Sequence, residues 1–191
     1  MIDIFNSLEK EVDKGIIGGN NGISLGLPGL DRYISIRKRI YTLIFGSSGT
    51  GKSSLANCLY ILNPFDWYWK NRHNTKIKLK IVYFSMERSS VYVTAKWLVR
   101  KIFLNEGVLI PLPKLMGWWD TKLTKDEHDL FLRYRPYFSN MEDIVEIIDG
   151  GTNPTGIYKW IKNYAAKNGR IEKISEFNQI YIPNDENLIT I

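Results

Sequence analysis

Cysteine is almost missing from this chain: Cys58 stands alone among 191 residues, so no internal disulfide can form and no redox or zinc site follows. Cys58 falls on the apolar side of an expected helix and reads as a small buried hydrophobe. Histidine is nearly as scarce. His73 and His128 have no partner at metal or catalytic spacing, and surface or packing roles suit both. Long hydrophobic runs are lacking too, none approaching the roughly 20 residues needed to span a bilayer. The N-terminus has no basic stretch followed by an apolar one. A cytoplasmic protein without a membrane partner is expected. Internal repeats and low-complexity tracts are also missing.

What remains is ordinary globular composition, 44% hydrophobic and 24% charged, enough for one domain with its own core. The formal charge of +6 is compatible with a polyanionic partner, nucleotide or nucleic acid. Arg37-Lys38-Arg39 and Lys76, Lys78 and Lys80 suit either phosphate contacts or solvated faces. Trp67, Trp69, Trp118 and Trp119 suit either base stacking or packing.

Along the chain, Ile4, Leu8 and Val12 recur at helical spacing and are followed by a glycine-rich stretch at 15–22, which predicts a short amphipathic helix on a tether over residues 1–22. So short a helix is marginal in water and needs a surface to pack on. The second segment, 23–191, opens with the turn-rich Leu-Gly-Leu-Pro-Gly-Leu-Asp at 25–31. Residues 40–45 form an apolar, β-branched run of buried-strand length. From Lys52 the period changes: Leu55, Cys58, Leu59 and Leu62 predict a helix, with Pro64 as its stop.

A second strand is expected at 81–84, then a helix through Val91, Ala95, Leu98 and Ile102 closed by Gly107. Thr124 with Glu127 forms a capping box for a helix reaching about Pro136. Residues 144–148 read as a third strand. Asn153 as N-cap, Pro154 in the first turn and the stripe Ile157, Trp160, Ile161 and Tyr164 predict a helix ending near Gly169. Short strands are expected at 171–174 and 179–182, and a further apolar run begins at Leu188. Alternating strands and helices predict an α/β fold with a mostly parallel sheet flanked by helices.

The most informative residues are Gly46, Ser47, Ser48, Gly49, Thr50, Gly51, Lys52 and Ser53, which fit the phosphate-loop pattern G-x-x-x-x-G-K-[ST] between a strand-like and a helix-like run. Glycines without a Cβ let the backbone turn tightly and bring N–H groups onto an anion. A helix N-terminus adds its unpaired donors and the positive end of its dipole. Lys52 is expected to reach the β- and γ-phosphates, Ser53 to ligate Mg²⁺, and Ser54 to complete the nucleotide-binding set. Glu87, just past the second strand, is either a base toward the attacking water or a helix cap. Asp149, ending the third strand, is the fallback for a magnesium carboxylate; the other reading has it capping the helix that opens near Pro154.

With these residues in place, the chain resembles the RecA-like ATPase core of DnaB-type replicative hexameric helicases, and more distantly the KaiC-like and RadA-like ATPases. Three features carry it: the lead-in at 25–31, the phosphate loop at 46–53, and Phe84-Ser85-Met86-Glu87. A softer fourth is the strand, Asp and Pro-led helix at 144–164. The resemblance implies a P-loop NTPase binding ATP and Mg²⁺ through Lys52 and Ser53, with Glu87 activating water. It implies that the magnesium aspartate follows a later strand, which would begin at Leu188 and run off the end, so that Asp149 is not that residue. The helix in 1–22 resembles the family's linker helix, and 23–191 a C-terminally incomplete RecA-like domain.

For the full-length protein the resemblance implies a homo-hexamer that couples ATP hydrolysis to movement on single-stranded DNA. This length of chain is expected to bind nucleotide with little turnover. Two other expectations stand beside it: a KaiC-like or RadA-like ATPase in recombination or regulation, and a nucleotide-gated interaction module without turnover.

Overall fold

The computed structural model is a mixed α/β protein, described over residues 4–16, 21–38, 40–150, 153–173 and 179–191. Its contacts divide into two units, Met1–Leu79 with Ile189–Ile191, and Lys80–Leu188. Tether residues 17–20, Arg39 of the first basic cluster, Gly151 and Ile174 lie outside the described residues.

The first unit opens with α1 (Ile4–Ile16), the predicted amphipathic helix. Its apolar residues Phe5, Leu8, Val12 and Ile16 are all more than half exposed. The lead-in at 25–31 becomes α2 (Pro28–Asp31), a single turn with Pro28 in its first positions. Around it Ile23 pairs with Ile36 in an isolated antiparallel bridge, and both are buried with Leu25.

The strand expected at 40–45 does not form: these residues have no regular secondary structure, and Ile40, Tyr41, Leu43 and Phe45 are exposed. Strand propensity expresses packing against neighbours more than backbone preference, so a β-branched run without a ladder stays irregular.

Helix formation from Lys52 is as expected, but the predicted stop at Pro64 is not. After α3 (Lys52–Asn57) the chain makes a π-helical turn, Cys58–Leu62, and continues as α4 (Asn63–Asn71). The π turn resets the hydrogen-bond register, so Pro64 falls in the first turn of α4, where its missing N–H costs nothing. Leu59, Ile61, Leu62 and Phe65 are the buried face of this continuous helical stretch, and Cys58 is half-buried. Each such burial contributes about 1.5–3 kcal/mol.

Strand β1 (Lys78–Phe84) begins where the first unit ends. In the second unit it is followed by α5 (Ser90–Glu106), α6 (Leu112–Leu115), α7 (Lys125–Arg133), α8 (Arg135–Glu142) and β2 (Val145–Ile148). Then come α9 (Pro154–Asn168), β3 (Gly169–Lys173) and β4 (Gln179–Pro183), and the last strand, β5 (Leu188–Thr190), starts at the end of the second unit and has Ile189 and Thr190 in the first. Strands β1 and β2 pair in parallel, Ile81 opposite Val145 and Phe84 opposite Ile148, in a three-stranded sheet of order β2-β1-β5. The other pair departs from the expected parallel pattern: β3 and β4 form a separate antiparallel hairpin.

Most helix ends obey their local signals. Ser89 caps α5 by accepting from the Tyr92 N–H, and Gly107 ends it in the left-handed region. Thr124 and Glu127 form the reciprocal capping box of α7. The helix read as continuous to Pro136 breaks at Tyr134 and restarts as α8 with Pro136 in its first turn. Leu98, Ile102, Ile110, Leu130 and Tyr134 make one buried cluster from α5, α7 and the loop before α6. Burial raises the Tyr134 phenol above its ordinary pKa, and the ring hydroxyl donates to Glu106. Helix α9 starts at Asn153 as read, but its stripe is only partly covered. Trp160 meets Phe84 edge-on at 5.4 Å and stacks on Tyr164 at 5.1 Å, while Ile161 is exposed.

Candidate functional site

In the first unit, residues 46–51 form a turn-rich loop that leads directly into α3. Gly49 and Gly51 have φ of 78° and 86°, a region that costs a side-chain-bearing residue about 1–2 kcal/mol. Open space surrounds both positions, so their glycines answer to backbone conformation alone. The first helical hydrogen bond runs from the Leu55 N–H to the Gly51 carbonyl. The amides of Lys52, Ser53 and Ser54 precede it and are left over by the helix, as in any first turn. Lys52 folds back across the loop, its Nζ donating to the Ser47 carbonyl at 2.6 Å, and Thr50 Oγ1 donates to the same oxygen at 2.8 Å. An ammonium satisfied by one neutral carbonyl is readily drawn to an anion, because charge-assisted bonds to phosphate are about twice as strong.

The lead-in motif proves structural. Asp31 accepts from Ser24 Oγ and the Leu25 N–H, both at 2.7 Å. Asn63, at the start of α4, donates to the Leu25 carbonyl at 2.6 Å. Gly26, at φ 75°, lies so close to Asn63 that a Cβ there would clash. The lead-in is thereby tied to the helical stretch that follows the loop. The signal for this clamp was Asp31 itself, six residues after Leu25.

Glu87 and Asp149 belong to the second unit, beyond the carboxyl ends of β1 and β2, where Phe84 and Ile148 share a rung. The Ser85 N–H donates to the Ile148 carbonyl, and its buried hydroxyl donates to the Arg88 carbonyl at 2.6 Å. Ser85 thus pins the turn that displays Met86 and Glu87 in solvent, a positioning role that reading the sequence missed. Glu87 is not the cap of α5; Ser89 and Asp149 do that. Asp149 accepts from the Ser90 N–H, and this bond lowers its pKa below the ordinary carboxylate value. The capping alternative for Asp149 is therefore correct in kind but wrong in helix: it serves α5, while Asn153 caps α9.

No group of three or more His, Cys, Asp or Glu able to hold a metal is present among the described residues. Mg²⁺ fits only with a nucleotide: Ser53 offers one hydroxyl, and this ion keeps waters and takes phosphate oxygens for most of its shell. Lys80 of the second basic cluster is paired with Glu146 at 3.3 Å, and Trp69 packs against Phe65 and Arg72. A cleft of about 690 Å³ in the second unit has mainly apolar walls, with His128 and Glu142 as its ionisable groups. No helix among the described residues is long and apolar enough to cross a membrane. No protein-family model, curated protein or solved structure matches this chain.

Proposed function

We propose that the chain is the ATP-binding part of a RecA-like P-loop ATPase, of the kind that drives DnaB-type replicative hexameric helicases along single-stranded DNA. The observation that carries the reading is the loop at 46–53. It combines two left-handed glycines, a helix beginning at Lys52, and an ammonium folded over the loop onto a carbonyl that a phosphate outcompetes.

In this reading the amides of 49–53 surround the β-phosphate and Lys52 swings from Ser47 to the β- and γ-phosphate oxygens. Ser53 Oγ would hold Mg²⁺, which when bound would offset phosphate charge. For Glu87, exposed at its own turn in the second unit, the resemblance alone supports the role of accepting the proton of the attacking water. The protein acts in the cytoplasm as a ring of like subunits.

The test is thermal: ATP with Mg²⁺ at about a hundred times Kd stabilises a single-site protein by about 2.7 kcal/mol. The wild type is expected to show that shift and Lys52→Ala to lose it. An unshifted wild type overturns the reading.

A second reading, a nucleotide-gated interaction module without turnover, is favoured by residues 40–45, an exposed apolar run directly before the loop. Phosphate release that disappears in Glu87→Gln decides for the ATPase.

A further inference from the structure

The second unit carries an aromatic array that the phosphate loop does not use. Arg88 places its guanidinium carbon 4.8 Å from the centre of the Tyr92 ring. Tyr92 lies nearly parallel to Trp118, at 19° with centroids 6.3 Å apart, and Trp118 meets Trp119 edge-on at 6.2 Å. The array ends in water, with Trp119 80% exposed. Burial therefore gives no reason for the largest side chain in the code to be there.

The backbone makes this sharper. Trp119 and Asp120 have φ of 54° and 60°, consecutive left-handed residues of which neither is glycine. A bulky residue keeps that conformation only where its surroundings hold it, and such strain gathers at functional sites. Here the surroundings are visible: the Trp118 N–H donates to the Pro113 carbonyl, and the Thr121 N–H and hydroxyl both donate to the Trp118 carbonyl. Thr121 Oγ1 also reaches the Pro113 carbonyl at 3.2 Å. These bonds brace the turn, and its product is a projecting indole.

We infer that Arg88, Tyr92, Trp118 and Trp119 form a stacking platform for the bases of single-stranded DNA. Every base has a π-face, and a fixed, exposed indole takes it at little entropic cost. Cations stand beside the array: Arg88 closes it, Lys122 and Lys125 follow the turn ahead of the acidic Asp126, Glu127 and Asp129, and the chain as a whole carries +6. Lys114 is committed to Glu127 at 2.6 Å, which leaves Arg88, Lys122 and Lys125 as the cations for the strand's phosphates. The platform deepens the reading above by giving the single strand a place. Its test is run without nucleotide, so that a failed phosphate loop and a failed platform show separately.

The experiment is a titration of the whole chain with a fluorescein-labelled oligothymidylate of about twelve nucleotides, within the usual footprint of such sites, followed by anisotropy and by tryptophan quenching. Saturable binding with quenching is expected. Trp119→Ala is expected to weaken it by about 5- to 150-fold, the usual worth of one stacked base. Trp119→Phe should keep most of it, and Arg88→Gln should weaken it less and flatten its salt dependence.

Trp119→Gly separates function from folding. Glycine accepts φ 54° without strain, so this variant is expected to melt no lower than wild type while losing the oligonucleotide. Lys52→Ala should bind it as wild type does. The inference is overturned by a wild type that does not bind, by Trp119→Ala binding unchanged, by loss of binding in Lys52→Ala, or by a polyproline peptide taking the platform where the oligonucleotide does not.

Discussion

Two apolar runs, residues 40–45 and 81–84, differ in what lies beside them. The second, Ile-Val-Tyr-Phe, has β2 in register along its whole length, and Ile81 is 1% exposed. The first, Ile-Tyr-Thr-Leu-Ile-Phe, ends at the phosphate loop with Tyr41 and Phe45 each over 80% exposed. Composition is alike, and the first run is the longer by two residues. The contrast teaches that a strand belongs to a pair: without a ladder, backbone groups turn to water and the side chains gain no burial.

The largest way to break the comparison is by substitution. Ile81→Ala should cost about 2–5 kcal/mol in urea unfolding, whereas Leu43→Ala, at an exposed site, should stay within about 0.5 kcal/mol. Equal losses would mean that 40–45 packs as β1 does. Hydrogen exchange sharpens the same contrast. Amides of β1 should be protected up to global unfolding and those of 40–45 should exchange at nearly intrinsic rates.

These two runs also mark where the sequence was legible. Signals confined to one turn were mostly read correctly: the Ser89 cap was overlooked, but Gly107, the Thr124–Glu127 box and Asn153 all set helix ends through bonds to residues three or four away. Signals that depend on a distant neighbour were not. Residues 40–45 needed a partner strand, Pro64 needed knowledge of the π turn before it, and Asp149 reaches Ser90, 59 residues away. At 46–53 only the local part was legible: Gly49 and Gly51 take positive φ and α3 starts at Lys52, while the strand expected before the loop does not form. The Trp119 turn was not, since nothing in Trp-Trp-Asp announces consecutive left-handed residues.

Smaller effects probe the second unit's helix starts. Thr124→Ala removes one half of the capping box and should cost about 1 kcal/mol in chemical unfolding; no change would mean that Glu127 and Lys114 hold the turn without it. Asp149 sets a pH dependence. Its folded pKa is depressed by the Ser90 N–H, so its contribution is complete above the unfolded value of about 4 and fades as pH falls through the lower folded value. The melting temperature of Asp149→Asn should therefore lie below wild type at neutral pH and converge with it in acid. A constant gap down to acid would remove Asp149 as a charged cap.

The most direct measurement of the central claim is calorimetric titration of the 191-residue chain with ATP and Mg²⁺, beside Lys52→Ala and Gly51→Ala. Saturable binding by the wild type, lost with the ammonium and weakened by a Cβ at φ 86°, is the predicted result. Absence of heat in the wild type, or equal affinity in Lys52→Ala, would contradict it.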